Sequence, residues 1–384
     1  MHNLSSPVFE RKLYTMKLIC SKQNLLNGVN TVSKAVPNKT TMSILECILI
    51  DANNGEIKLT ANDTELGIET VVTGIIEEKG RIALDAKILV DIVRKLPDSD
   101  VVIECDNSLK TYITCDKAKF TIIGKPADEF TYLPKIERLD SIVISQFSLK
   151  EVIRQTIFSI GENESNKAMS GELFEVTGDV LKVVSLDGHR ISIRKIYLKN
   201  TYSNKKVIVP GKTLIEISKI LGGDTDKDVT IYFTGNHIIF EFDNTVVVSR
   251  LIEGEYFKID QMLSSDYETK ITINKKDLLE SIDRATLLVK EGDKKPIIVN
   301  IKDENIELKI NSTVGSMNEE IMIKKQGKDL MIGFNPKFMM DALRVIDDEE
   351  IDMYLVNPKA PCFIKNSEET YIYMVLPVNF TTVS

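Results

Sequence analysis

The chain has 384 residues (43.3 kDa), 43% apolar and 28% charged, with a formal net charge of −8. That length predicts two or three domains at roughly 150 residues each, and the balance excludes a disordered or fibrous chain. No apolar run approaches the ~18 residues of a membrane span, and the net charge excludes a uniformly basic nucleic-acid coat while leaving room for a local basic surface.

Residues 1–15 lack an apolar stretch long enough for a secretory signal and read as an N-terminal extension. A strand pattern starts at Met16-Lys17-Leu18-Ile19, and a helical pattern follows at Leu25, Leu26 and Val29. Residues 56–60 alternate as a strand. Residues 81–96 then read as a short strand, a capping position and an amphipathic helix. The same sentence of elements returns twice. Residues 141–144 are a strand, with a helix marked by Val152, Ile153 and Thr156; residues 270–273 are a strand, with a helix marked by Leu278, Leu279 and Ile282. Residues 206–221 and 331–346 repeat the strand, cap and helix of 81–96. Lys87, Lys212 and Lys337 fall 125 residues apart, as do Asp91, Glu216 and Asp341, and Arg94, Lys219 and Arg344. A period this long denotes triplicated domains and not a solenoid, whose repeats run to about 50 residues. We divide the chain into the extension 1–15 and three domains of two helices on antiparallel sheets, at 16–140, 141–265 and 266–384. The fold class is α+β.

On each second helix the i, i+4 and i+7 positions share one face. An ion-paired, solvated face accounts for them. The sharper reading is a basic stripe shown three times, to which the first helices add Lys22, Lys34, Lys150, Arg154, Lys275, Lys276 and Arg284. Such a stripe suits weak, salt-sensitive and sequence-blind contact with a phosphate backbone. Nucleotide-binding glycine motifs, a zinc-protease helix and a nucleophile elbow are all missing. Five cysteines (Cys20, Cys47, Cys105, Cys115 and Cys362), without close pairing and with only three histidines in the chain, read as reduced core thiols and not as a metal site. Ser185-Leu-Asp-Gly-His-Arg190 brings serine, aspartate and histidine together. Asp187-Gly188 is nonetheless a strong turn pair, and it predicts a hairpin that leaves His189 and Arg190 on the surface. His237 reads as a strand residue and His2 lies in the extension. The acidic run 347–350 reads as a solvated loop.

Met16-Lys-Leu-Ile, Thr41-Met-Ser-Ile-Leu45, the segment 185–190, Val207-Ile-Val-Pro210, Ile332-Gly-Phe-Asn335 and Tyr373-Met-Val-Leu-Pro377 together resemble, in this order, the bacterial DNA polymerase III beta subunit, the sliding clamp. The resemblance implies the DNA-clamp fold, a head-to-tail homodimer and a six-domain ring. Duplex DNA would thread the ring without sequence preference. It implies a cytoplasmic processivity factor with no catalytic activity, cofactor, metal or membrane contact. Its partners would be a clamp loader, the alpha subunit of the replicative polymerase and other proteins with clamp-binding motifs. The DNA-facing residues would be Lys39, Lys87, Arg94, Lys150, Arg154, Lys212, Lys219, Lys276, Arg284, Lys337 and Arg344. A partner-peptide pocket would use Val152, Leu186, Gly188, His189, Arg190, Ile191, Met262, Met374, Val375, Leu376, Pro377 and Val378. Phe120, Leu287 and Leu288 match dimer-interface positions. Residues 255–260 depart from the family's aromatic-Pro-Asp connection, Gln261 replaces a common arginine, and Asn379 with the tail 380–384 extends the usual end. A peptide-binding scaffold that does not encircle DNA is the alternative, and an enzyme using His189 a third.

Overall fold

The computed structural model describes residues 14–161, 166–263, 266–289 and 295–380. His2 and most of the extension, the boundary expected at Ser265 and the last four residues of the tail lie outside the described residues. Contacts divide the chain into two units. One holds the residues up to Ser141 together with Lys227–Arg250; the other holds Ile142–Asp226 and the chain from Leu251 onward.

Among the described residues six α-helices recur in pairs, and their ends are set by local chemistry. The first of each pair are α1 (Lys22–Val32), α3 (Gln146–Thr156) and α5 (Lys275–Thr286). Each follows a strand and is capped by Ser21, Ser145 or Asn274, whose side-chain oxygen accepts from the backbone N–H three residues on. The second are α2 (Ala86–Lys95), α4 (Gly211–Ile220) and α6 (Pro336–Val345). Their N-caps are Asp85, Pro210 and Asn335, and their C-caps Leu96, Leu221 and Ile346, so each helix keeps the 125-residue period at both ends. Asp85 and Asn335 cap through their side chains, whereas Pro210 fixes the turn into α4 without one. On α2 the apolar face, Leu89, Val90 and Val93, is buried and Lys87, Asp91 and Arg94 are exposed.

In the first unit Tyr14–Ser21 lies between Ile75–Glu78 and Asp100–Asp106 in a five-stranded sheet that ends on Ala118–Ile123. A second run of antiparallel strands passes from Arg81–Asp85 through Cys47–Asp51, Ile57–Asn62 and Leu66–Val72 to Thr245–Arg250, His237–Phe242 and Asp228–Phe233. The join is Thr245 paired with Thr70, with a buried contact of 2.8 Å between their hydroxyls. Pairing thus carries residues 227–250 into this unit.

The second unit is built on a ten-stranded sheet. At one end Gly171–Leu186 pairs with Arg190–Pro210, which pairs with Tyr371–Val375 and then Cys362–Lys365. The expected hairpin is therefore present, with Leu186 opposite Ile191. Tyr371, Tyr373 and Val375 enter the core formed with α5 and α6. Ile372 and Met374 enter a separate cluster with Leu186, Ile191 and Ile193. After the strand, Val378 N–H donates to the Gly333 carbonyl at 2.8 Å, and a Cβ at Gly333 would meet the Phe380 ring at 2.7 Å. Glycine there lets the chain end lie close against the strand Leu330–Phe334.

The acidic run 347–350 is exposed, as expected of a solvated loop, and leads from α6 into the strand Glu350–Leu355. Asp347 accepts from Arg154 at 3.1 Å, Asp348 from the Tyr371 hydroxyl at 2.7 Å, and Glu350 opens a strand. All five cysteines are buried and free, and burial pushes the Cys20 thiol up to about 12.

Glu172 is fully buried beside Val209, and both its carboxyl oxygens lack a hydrogen-bond partner among the described residues. Burial raises its pKa to about 8; the nearby Thr156 hydroxyl offsets this only in part, since it donates to the Val152 carbonyl at 2.7 Å. The folded chain therefore keeps a proton that the unfolded chain releases near pH 4.3. Stability from this group is full below about pH 4 and is lost as pH rises to about 8. Glu172→Gln is expected to remove that decline and to stabilise the chain at pH 8, at about 1.4 kcal/mol for each pKa unit. Urea denaturation at pH 5 and pH 8 measures both, and identical pH slopes for the two proteins would contradict the assignment.

Candidate DNA-facing helices and peptide groove

The six helices carry thirteen basic and seven acidic side chains, a net of +6 in a chain whose net is −8. Six of these cations are steered by a carboxylate. Arg94 pairs with Asp91 at 3.4 Å, Lys219 with Glu216 at 2.8 Å and Lys276 with Glu280 at 3.7 Å. Arg154 pairs with Glu151 and Asp347, and Arg284 with Glu319. Lys150 donates to the Leu221 carbonyl at 3.1 Å, from α3 to the end of α4. Lys39, Lys87 and Lys337 are exposed and make no ion pair among the described residues; Lys212 is exposed at the start of α4. Exposed pairs of this kind contribute at most about 1 kcal/mol each. They leave the charge on the surface and restrict where it points.

The third repeat breaks the pattern. Arg344 pairs with Asp283 at 3.6 Å, and Asp341 turns to Arg190 at 2.7 Å. Asp341 therefore belongs to a different structure from Asp91. Arg190 itself is buried, against the surface position expected of it. Its Nε donates to Asp187 at 2.9 Å and its Nη2 to the Phe158 carbonyl, and its guanidinium carbon lies 4.4 Å from the centre of the Phe338 ring. Every edge of the cation is engaged, which is what a buried charge requires. The turn above it is built by Asp187, whose Oδ1 accepts from the backbone N–H of His189 and Arg190 at 3.0 and 3.2 Å, and by Gly188 at φ +85°. His189 is exposed, stacks on Phe338 at 6.0 Å, and its carbonyl accepts from Leu376 N–H at 2.9 Å. This geometry orients the turn and offers no nucleophile to the histidine.

Ile191 points to the other face of its strand. With Leu186 and Met374 it enters a buried apolar cluster that also holds Tyr256 and Ile259, and the half-buried Met169, Phe257 and Leu376 pack against it. Met262 is 48% exposed beside it in the chain, and Pro377 and Val378 are half-buried. Two expected members lie outside this cluster. Val152 is fully buried on α3, and Val375 faces the opposite core. Met169 was not predicted; it reaches the cluster through the short turn Lys167–Ser170, and no periodicity marks it. Phe120 is 38% exposed on the edge strand Ala118–Ile123, Leu287 is 81% exposed after α5, and Leu288 packs on the core beneath.

The fold is that of a sliding clamp. Three family models match in order: the DNA polymerase III beta subunit N-terminal domain over residues 16–134, the central domain over 143–258 and the C-terminal domain over 260–379. The beta sliding clamp of Staphylococcus epidermidis is 33% identical over 374 residues, covering 94% of this chain and 99% of that one. A putative DNA polymerase III beta subunit from Eubacterium rectale is 71% identical with a TM-score of 0.93, covering 95% of this chain and 100% of that one. The Bacillus subtilis DNA polymerase sliding clamp is 34% identical with a TM-score of 0.92, over 96% and 100%. The chain belongs to the DNA polymerase III beta subunit family.

Asp341→Ala leaves the buried Arg190 charge with Asp187 as its remaining carboxylate. It is expected to cost about 3 kcal/mol, the lower end for breaking a buried pair. Urea denaturation reads this loss. A change below about 0.5 kcal/mol, the range of exposed substitutions, would show that the network does not hold the turn.

Proposed function

We propose that the chain is the processivity factor of a bacterial replicative DNA polymerase. Two copies join head to tail into a six-domain ring that encircles and slides on duplex DNA in the cytoplasm. The observation that carries this reading is charge segregation: a net of +6 on six helices repeated through a chain of −8. Six helices per chain make twelve per ring, and their cations attract phosphates at any sequence. Each contact is weak and exchanges quickly, so retention falls to the closed ring. An acidic remainder discourages DNA from binding elsewhere on the chain.

The chain itself is not catalytic; a clamp loader supplies the opening step. The exposed Phe120 and Leu287 are the apolar side chains that the partner subunit covers. The groove floored by Leu186, Ile191 and Met374 takes apolar anchors of the polymerase alpha subunit and of other clamp-binding proteins. His189, Gly188, Met262 and the segment 376–378 form its edges. Arg190 acts beneath this surface by holding the turn, and Met169 takes the place given to Val152.

The triple variant Lys87→Glu, Lys212→Glu, Lys337→Glu tests the reading. Loaded onto nicked circular DNA at 0.15 M salt, it is expected to remain bound several-fold less than the parent. Its thermal melting and dimer mass should be unchanged, because all three side chains are exposed. Equal retention of the two proteins would remove the helices from the DNA-facing role.

A further inference from the structure

The chain holds two Asn-Gly pairs, Asn27-Gly28 and Asn54-Gly55, and the fold treats them oppositely. Such a pair carries its own reaction. The backbone nitrogen of the glycine can attack the carboxamide carbon of the asparagine, because glycine has no side chain to obstruct the approach. The ring closes only where the glycine N–H is free and the carboxamide can turn back over the backbone. Asn27-Gly28 lies inside α1. There the Gly28 N–H is held by the carbonyl four residues back, and Gly28 is packed so closely that a Cβ would meet Val72 at 2.5 Å. The Asn27 carboxamide oxygen accepts from Gln23 Nε2 at 2.9 Å. Asn54-Gly55 instead sits in the turn between Cys47–Asp51 and Ile57–Asn62. Both residues are exposed, and neither makes a hydrogen bond among the described residues. Gly55 stands at φ +83° with nothing within 4 Å of the place a Cβ would take. The turn holds its shape without the Asn54 side chain: Asp51 Oδ1 accepts from the Asn53 N–H at 2.9 Å, and the Ala52 N–H donates to the Gly80 carbonyl at 2.9 Å.

We propose that Asn54 is a site of spontaneous modification, at which the folded chain converts its own carboxamide to aspartate and isoaspartate. The Gly55 nitrogen gives up its proton and bonds to Asn54 Cγ; the Cγ–Nδ2 bond breaks, and Nδ2 leaves as ammonia. Water then opens the cyclic imide at either carbonyl. Attack at Cγ releases the Gly55 nitrogen from Cγ and gives aspartate. Attack at the backbone carbonyl releases it there and gives isoaspartate, whose backbone runs through Cγ and whose α-carboxylate is free. One water is consumed and one ammonia released. Either product adds a negative charge to the turn between Asp51 and Glu56, which belongs neither to the six helices nor to the cluster around Ile191 and Met374. The modification therefore marks the age of the chain on a surface outside both proposed binding sites.

Peptide mapping by mass spectrometry tests this on the full chain, incubated at pH 8 both folded and in urea. In the folded chain Asn54 is expected to react at least about tenfold faster than Asn27, because a helix interior must open before its pair can react. In urea the two rates should converge. Lowering the pH by one unit should slow the Asn54 reaction about tenfold, since the deprotonated glycine amide is the nucleophile. Isoaspartate is read separately, by methyl transfer from labelled S-adenosylmethionine to the free α-carboxylate with an isoaspartyl methyltransferase. Asn54→Gln, whose ring would be six-membered, should remove that signal from the folded chain. An Asn54 that stays intact in the folded chain but reacts in urea would overturn the proposal, as would equal rates at Asn27 and Asn54 in the folded chain. Aspartate at position 54 without any methyl-accepting isoaspartate would overturn the imide route in favour of direct hydrolysis.

Discussion

The second unit depends on one short strand, Tyr371–Val375. It is hydrogen-bonded on one side to Arg190–Pro210 and on the other to Cys362–Lys365. Its five side chains are all buried, and they alternate between two cores. Tyr371, Tyr373 and Val375 complete the core under α5 and α6, while Ile372 and Met374 complete the second apolar cluster, with Leu186 and Ile191. A strand with a partner at each edge and apolar packing on each face has a single register, since a slip of one residue would exchange the two sets. The turn 187–189 inherits that register, because Leu376 N–H reaches the His189 carbonyl directly after the strand ends. Arg190 and Asp341 then fix the turn from the other face of the sheet. The second cluster, the turn and the third-repeat core are therefore one mechanical object.

The helices follow a different logic. Six of their cations are tethered by ion pairs on the surface, and such exposed pairs contribute little to stability. That is the condition for a surface that attracts a polyanion without holding it: the charge is present, oriented and still solvated. Salt weakens such contacts steeply. The proposed ring therefore supplies the retention, and the helices supply weak, exchangeable attraction for the duplex.

Much of this was legible in the sequence because it is local. Asp85, Pro210 and Asn335 cap helices whose limits are decided within a few residues, so the triplication could be read from one chain. The hairpin at Asp187-Gly188 was legible for the same reason. Arg190 was not, because the groups that bury it, Phe158, Phe338 and Asp341, lie 32 to 151 residues away. The identical period of Asp91, Glu216 and Asp341 concealed that the third had changed partner. Residues 371–375 form a continuous apolar run, which shows burial on both faces but not which core each face meets. Glu172 sits in an otherwise ordinary strand, and only the packing around it shows that its charge has no outlet.

The central claim is a closed ring of two chains. Small-angle X-ray scattering across a dilution series measures mass and shape together. The account predicts a mass near twice 43.3 kDa and the distance distribution of a hollow ring. A monomer at every concentration, or a dimer with a filled or extended profile, would contradict it.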